Sequence, residues 1–187
     1  MLVYLVHGFN VQDDGANTVG RLRPFFERAG CNVIELNYGY FNLLRVRLCN
    51  RSIARVIASS IEPDSIVVGH SNGCAIIYRA AKAGAKFRHA TLINPALDDD
   101  KAIAGARTVD VWYSPTDKAV PLSRLLLFHT WGTQGRDGYN GPPKKNYRQF
   151  NADLEFDADV GHSGIFADPT RSRKVVERTL ARANGAA

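Results

Sequence analysis

Short apolar runs punctuate the chain at 2–6 (LVYLV), 31–36 (CNVIEL), 65–68 (SIVV), 91–94 with the residues just before it, and 108–113 (TVDVWY). None alternates strictly between apolar and polar positions, which is the pattern of strands buried on both faces. Between them lie segments with helical spacing: 17–29, closed by Gly30; 43–60, where Val46, Ile53, Val56 and Ile57 recur on one side; and 74–83. Strand and helix alternate. That order predicts an α/β three-layer sandwich, with helices on both faces of a mostly parallel sheet of about six strands. Towards the C-terminus, 154–157 is expected to supply a last strand and 169–183 a last helix. A short helix is predicted over 121–128. Six glycines and prolines, Gly132, Gly135, Gly138, Gly141, Pro142 and Pro143, predict a loop there. No repeat, linker or low-complexity segment marks a boundary, so residues 1–187 are expected to form a single domain.

Composition changes this picture little. The chain has 187 residues, 45% hydrophobic and 22% charged, enough to bury a core without staples and unlike a disordered or coiled-coil chain. The formal charge of +6 is concentrated near the C-terminus, where Arg171, Arg173, Lys174, Arg178 and Arg182 face the single acid Glu177. A solvated helix face is the plainer reading of that cluster; an acidic partner or anionic surface is the other. No nucleic-acid motif is visible, so no nucleic-acid partner is expected. Cys31, Cys49 and Cys74 are odd in number and unpaired in spacing, and no metal-ligand cluster stands out. Free thiols and the lack of a basic, apolar leader at MLVYLVHGFN point to the cytoplasm and to no membrane span.

Candidate chemistry begins at GHSNG, 69–73. It fits G-x-S-x-G and falls where a buried strand ends and a helix starts, the setting of a nucleophile elbow; a loop serine without chemistry is the alternative. A serine hydroxyl needs a base, and the base an orienting acid. Among the five histidines, His162 lies in a loop after the last predicted strand and before the last helix, from which its ring can reach across the top of the sheet. Asp117, in SPTDKAVP at 114–121, follows directly on the strand TVDVWY. Asp98, Asp99 and Asp100 are its competitors, while Asp159 is close to His162 in sequence. The order Ser71, Asp117, His162 is the one this architecture requires. For the oxyanion hole, the N–H of Asn72, just after the serine, is one donor; the loop HGFN at 7–10 offers Phe9 as the other, with Asn10 bracing it.

These four segments, HGFN, GHSNG, SPTDKAVP and GHSGIF at 161–166, make the chain resemble the α/β-hydrolase superfamily over nearly its whole length, as a compact, lidless, esterase- or lipase-like member. The resemblance implies a serine hydrolase with Ser71 as nucleophile, His162 as general base and then acid, Asp117 as its orienting acid, Phe9 and Asn72 as oxyanion donors, and no metal or organic cofactor. Two departures stand out. The two edge strands that usually precede the oxyanion loop are not found in this sequence, and only 95–107 separates the fourth and fifth strands, where many relatives carry a lid. The expected substrate is therefore a small or surface-presented carboxylic ester. The aromatic residues Phe9, Tyr38, Tyr40, Phe41, Trp131, Tyr139 and Phe166 are candidates for an acyl or aryl pocket, with Asn10, Tyr40, Trp131 and Phe166 named as substrate-binding; core packing competes for each. The segment 131–141 is either a cover over the cleft or a plain surface loop. The same triad serves thioester, amide and acyl-transfer chemistry. A non-catalytic ligand-binding module, docking through its basic C-terminal segment, is the reading that uses no triad.

Overall fold

The computed structural model describes residues 1–8, 13, 15–38, 43–119 and 132–185, with 43–50 described by backbone alone. Six strands, β1 (Leu2–Val6), β2 (Asn32–Leu36), β3 (Ile66–His70), β4 (Phe87–Ile93), β5 (Ala106–Tyr113) and β6 (Tyr147–Asn151), form one sheet in the order β2-β1-β3-β4-β5-β6. Every pairing is parallel. The helices are α1 (Arg23–Arg28), α2 (Leu43–Ser60), α3 (Asn72–Lys82), α4 (Gln134–Asp137), α5 (Ala152–Phe156), α6 (Gly164–Ala167) and α7 (Pro169–Ala183).

Successive strand residues point to opposite faces, and both faces are covered. Tyr4, Val6, Val67, Ala90, Leu92, Val109 and Val111 pack with Ala54 and Ile57 of α2 and Ile76, Ile77 and Ala80 of α3. Val3, Leu5, Val33, Ile66, Val68, Ile93 and Trp112 pack with Phe26 of α1 and Val175 and Val176 of α7. This double burial is why the strands read as continuous apolar runs.

Three expectations are corrected. The last strand is β6, residues Tyr147–Asn151, and the predicted strand at 154–157 falls in α5, where Leu154 is 81% exposed. Asn151 explains the change: its side chain accepts from the N–H groups of Asp153 and Leu154 and so caps a helix at that point. The predicted loop at 132–143 contains α4. The helix expected over 17–29 is a 3-10 turn at Val19–Leu22 followed by α1, which starts afresh where Pro24, lacking an N–H, suits a first turn. The helix predicted over 121–128 lies outside the described residues.

Only residues 94–105 join β4 to β5, so no lid is inserted there. The cations of α7 are largely held by this chain. Lys174 and Arg178 each lie 2.8 Å from Glu155, and the Arg178 guanidinium sits 4.6 Å over the Phe150 ring. No helix among the described residues is long and apolar enough to cross a membrane.

Candidate active site

Ser71 joins β3 to α3 with φ 53° and ψ −121°, a backbone conformation that costs a non-glycine residue about 1–3 kcal/mol and persists only where the surroundings enforce it. Those surroundings are visible. The Ser71 N–H donates to Ile93 O at 3.0 Å, and its carbonyl accepts from Cys74 N at 3.0 Å and Ala96 N at 3.1 Å. Close approach does the rest: a Cβ at Gly73 would overlap the carbonyl oxygens of Val6 and His7, so only glycine lets α3 start against the end of β1.

Because β1 is the neighbour of β3, the segment after β1 arrives beside the serine. A Cβ at Gly8 would lie 3.1 Å from Ser71 Cβ, so the glycine of HGFN touches the elbow. Asn72 is fully buried and opens α3, where main-chain N–H groups lie ahead of the helix's own hydrogen-bond ladder. Phe9, Asn10, Tyr40 and Trp131 lie outside the described residues.

The candidate acid and the candidate base meet. The His162 Nδ1–H donates to Asp117 Oδ2 at 2.7 Å, and Asp117 is 1% exposed. Since a carboxylate only accepts, the ring proton sits on Nδ1 and the neutral imidazole keeps Nε2 as its basic atom. Asp117 Oδ2 also accepts from Asn94 Nδ2 at 3.1 Å, and Oδ1 accepts from Ala119 N at 2.9 Å. Asn94, itself at φ 44°, bridges from Asp117 to Gly135 O at 3.2 Å. The competing acids are elsewhere: Asp98 and Asp100 are exposed and pair with Lys101, and Asp159 is exposed.

His70, inside the elbow, is fully buried and does a different job. Its Nε2 lies 2.9 Å from the carbonyl oxygen of His162, an acceptor, so Nε2 carries the proton. Burial, and then the neighbouring His162, push its pKa down to about 3, which keeps the ring neutral with that tautomer. His70 thereby grips the main chain of His162.

A second polar cluster lies under the same loop. Asp153, in α5, accepts from Ser114 Oγ at 2.7 Å and Val160 N at 2.9 Å through Oδ1, and from Thr116 N at 3.1 Å and Thr116 Oγ1 at 3.0 Å through Oδ2. Gly161 N donates in turn to both hydroxyl oxygens, at 3.0 and 3.1 Å. Burial raises the Asp153 pKa, but the hydrogen bonds from Ser114, Val160 and Thr116 outweigh it and hold the carboxyl below its ordinary value.

Phe166 is 2% exposed and packs edge-on to His70, with ring centroids 4.9 Å apart, in the core beneath the rim rather than in an open pocket wall. Tyr139 is buried against Tyr147, and Tyr38 stacks on His7 and donates its hydroxyl to His7 O. The segment 132–135 is buried against the β4 exit: Gln134 N donates to Leu97 O at 3.0 Å, and Ser114 N donates to Gly135 O at 2.9 Å. That part is neither a cover nor a plain surface loop; it wedges under Asn94. Sequence reasoning missed Asn94, Asp153, Ser114, Thr116 and the role of His70. Among the described residues no group of three or more His, Cys, Asp and Glu side chains is arranged to hold a metal ion.

Similar folds recur among solved structures. The mouse α/β-hydrolase domain-containing protein 10 superposes with a TM-score of 0.65 at 12% identity, covering 100% of this chain and 90% of that one. A pyrethroid hydrolase from Sphingobium faniae gives 0.57 at 12% identity over 98% and 99% of the two chains. The chain has the α/β-hydrolase fold. The esterase domain of a Rhodothermus marinus protein matches with 0.55 at 15% identity over 97% of this chain and 85% of that one. No protein-family model and no curated protein matches the sequence.

Proposed function

We propose that the chain is a serine hydrolase that cleaves carboxylic esters of small or surface-presented substrates through an acyl-enzyme on Ser71. His162 Nε2 takes the Ser71 proton as Oγ attacks the acyl carbon, and Asp117 stabilises the imidazolium that forms. The oxyanion rests on the N–H groups of Asn72 and Phe9. His162 then protonates the departing alcohol, and water repeats the sequence to release the acid and regenerate Ser71. The observation that carries this reading is the 2.7 Å contact of buried Asp117 with half-buried His162, from the segments that follow β5 and β6, combined with a serine held at φ 53° after β3. A binding module has no use for a base kept in one tautomer. Solved hydrolases and esterases of the same fold add to the case, and the short 94–105 connection favours substrates that need no lid.

Intact-mass spectrometry after treatment with a fluorophosphonate tests it. One adduct on the wild type and none on Ser71→Ala is the expected result; an unlabelled wild type overturns the proposal. Matched p-nitrophenyl esters, thioesters and amides then identify the bond, and a clear preference for thioesters would displace the ester assignment.

A further inference from the structure

We infer that Asp153 is a positioning residue for the general base: through Ser114 and Thr116 it locks the loop carrying His162 onto the loop carrying Asp117. The inference rests on the proposed roles of Ser71, His162 and Asp117. The two loops leave different strands, and the Asp117–His162 bond alone would leave them free to pivot about one contact. Asp153 supplies the others. It holds Thr116, one residue before the acid, by both main-chain N–H and hydroxyl, and Val160, two residues before the base, by its N–H.

Polarity makes this arrangement directional. Each hydroxyl has a single proton, and although the two oxygens also lie 2.9 Å from each other, the charged carboxylate is the stronger acceptor for both protons, which leaves the Ser114 and Thr116 oxygens as acceptors for Gly161 N–H. Charge therefore propagates from Asp153 through two hydroxyls to the amide adjoining His162, each bond polarising the next. An amide cannot replace it. In one orientation the NH₂ of Asp153→Asn faces Val160 N–H, in the other Thr116 N–H, and neither main-chain donor can reverse. The far side of the base is gripped separately by His70 Nε2–H on the His162 carbonyl, so loss of Asp153 frees only one side of the loop.

The test uses two readouts on the full chain. The first is the low-field proton resonance of His162 Nδ1–H in its bond to Asp117; the second is the second-order rate of fluorophosphonate labelling at Ser71, corrected for the folded fraction. With Asp153→Asn and Thr116→Val, the resonance should broaden or vanish and labelling slow by about 10- to 100-fold, the range expected when groups that orient a functional side chain are lost. Thr116→Ser, which restores the hydroxyl, should return both to wild-type values. If Asp153→Asn does not fold, Thr116→Val and Thr116→Ser decide between them. A merely structural role would lower thermal stability and leave both readouts of the folded fraction unchanged, and that result overturns the inference. A wild type that shows the resonance but takes no label ends the hydrolase reading alone; the resonance in the variants then decides the role of Asp153.

Discussion

Two polar clusters, one half-buried at the rim and one more deeply buried at β5, behave in opposite ways. At the rim, Asp153 accepts from Ser114, Val160 and Thr116, and Asp117 accepts from Asn94, Ala119 and His162, so both carboxylates face donors within ordinary bonding distance. Inside the layer between the sheet and α7, Asp110 faces His89 Nε2 at 3.7 Å and Arg182 Nε at 3.8 Å. Asp110 Oδ1 and Arg182 Nε have no hydrogen-bond partner among the described residues. Burial pushes Asp110 up to about 6, against the opposing pull of Arg182, Arg148 and Arg178, and burial pushes His89 down to about 3. Desolvation is common to both clusters. Satisfied donors are not, and they decide whether a buried carboxylate is held charged or driven towards neutrality.

The comparison can be broken first at the rim. Replacing His162 with alanine should reduce kcat for ester hydrolysis by about 10⁴ or more, because triad members act as a unit, with little change in the urea midpoint. Asn94→Gly keeps a residue suited to φ 44° but removes the amide that donates to Asp117. A loss of about 10- to 100-fold in kcat with KM nearly unchanged is expected from steady-state kinetics.

At the inner cluster the effects move to stability. The folded state holds a proton on Asp110 between its unfolded value of 3.8 and about 6, so its cost grows as pH rises through that window and is complete above it. Asp110→Asn should therefore stabilise the protein by up to about 3 kcal/mol at pH 7 and by only about 0.5 kcal/mol at pH 4, read from urea unfolding at both. The neutral histidines have the reverse sign. The unfolded chain binds protons below 6.5 that folded His70 and His89 refuse until about 3, so their contribution is present above pH 6.5 and lost as pH falls. Two such groups against one Asp110 leave a net loss of at most about 1.4 kcal/mol per unit between pH 6 and 4, and His89→Gln should flatten it. Lys174→Met, at a half-exposed pair with Glu155, is expected to cost less than about 1 kcal/mol in the same measurement.

Much of this molecule is legible before folding because parallel strands advertise themselves. The runs at 2–6, 31–36 and 108–113 become β1, β2 and β5 within two residues; β1 and β5 lie inside the sheet and are largely buried, whereas β2, at one edge, buries Val33 and leaves Asn32 and Ile34 exposed, and is legible by its run of apolar residues alone. β6 hid because it closes the sheet at one edge, where Tyr147, Arg148, Gln149, Phe150 and Asn151 are exposed or half-buried and carry no apolar run. A signal was nonetheless present. Asn151 followed by Asp153 and Glu155 has the form of a helix cap with acids in the first turn, and it argues against a strand at 154–157. At the site, Ser71, Asp117 and His162 could be chosen from their local settings, GHSNG between a strand and a helix, SPTDKAVP after TVDVWY and a loop before the last helix, taken with their order in the chain. Asp153 could not, because its partners stand 37 and 39 residues away and only the return of β6 alongside β5 brings them together.

The overlap that forbids any side chain at Gly73 ties the first strand to the start of α3, while Asp153 ties the final strand's exit to the loop after β5. The proposed reacting groups are thus contributed by segments that follow β1, β3, β5 and β6, and only a fragment spanning most of the chain contains them all. Reactivity at Ser71 would then be a report on whole-chain assembly: a nicked, truncated or half-folded molecule, however well formed its elbow, would be silent to an active-site probe.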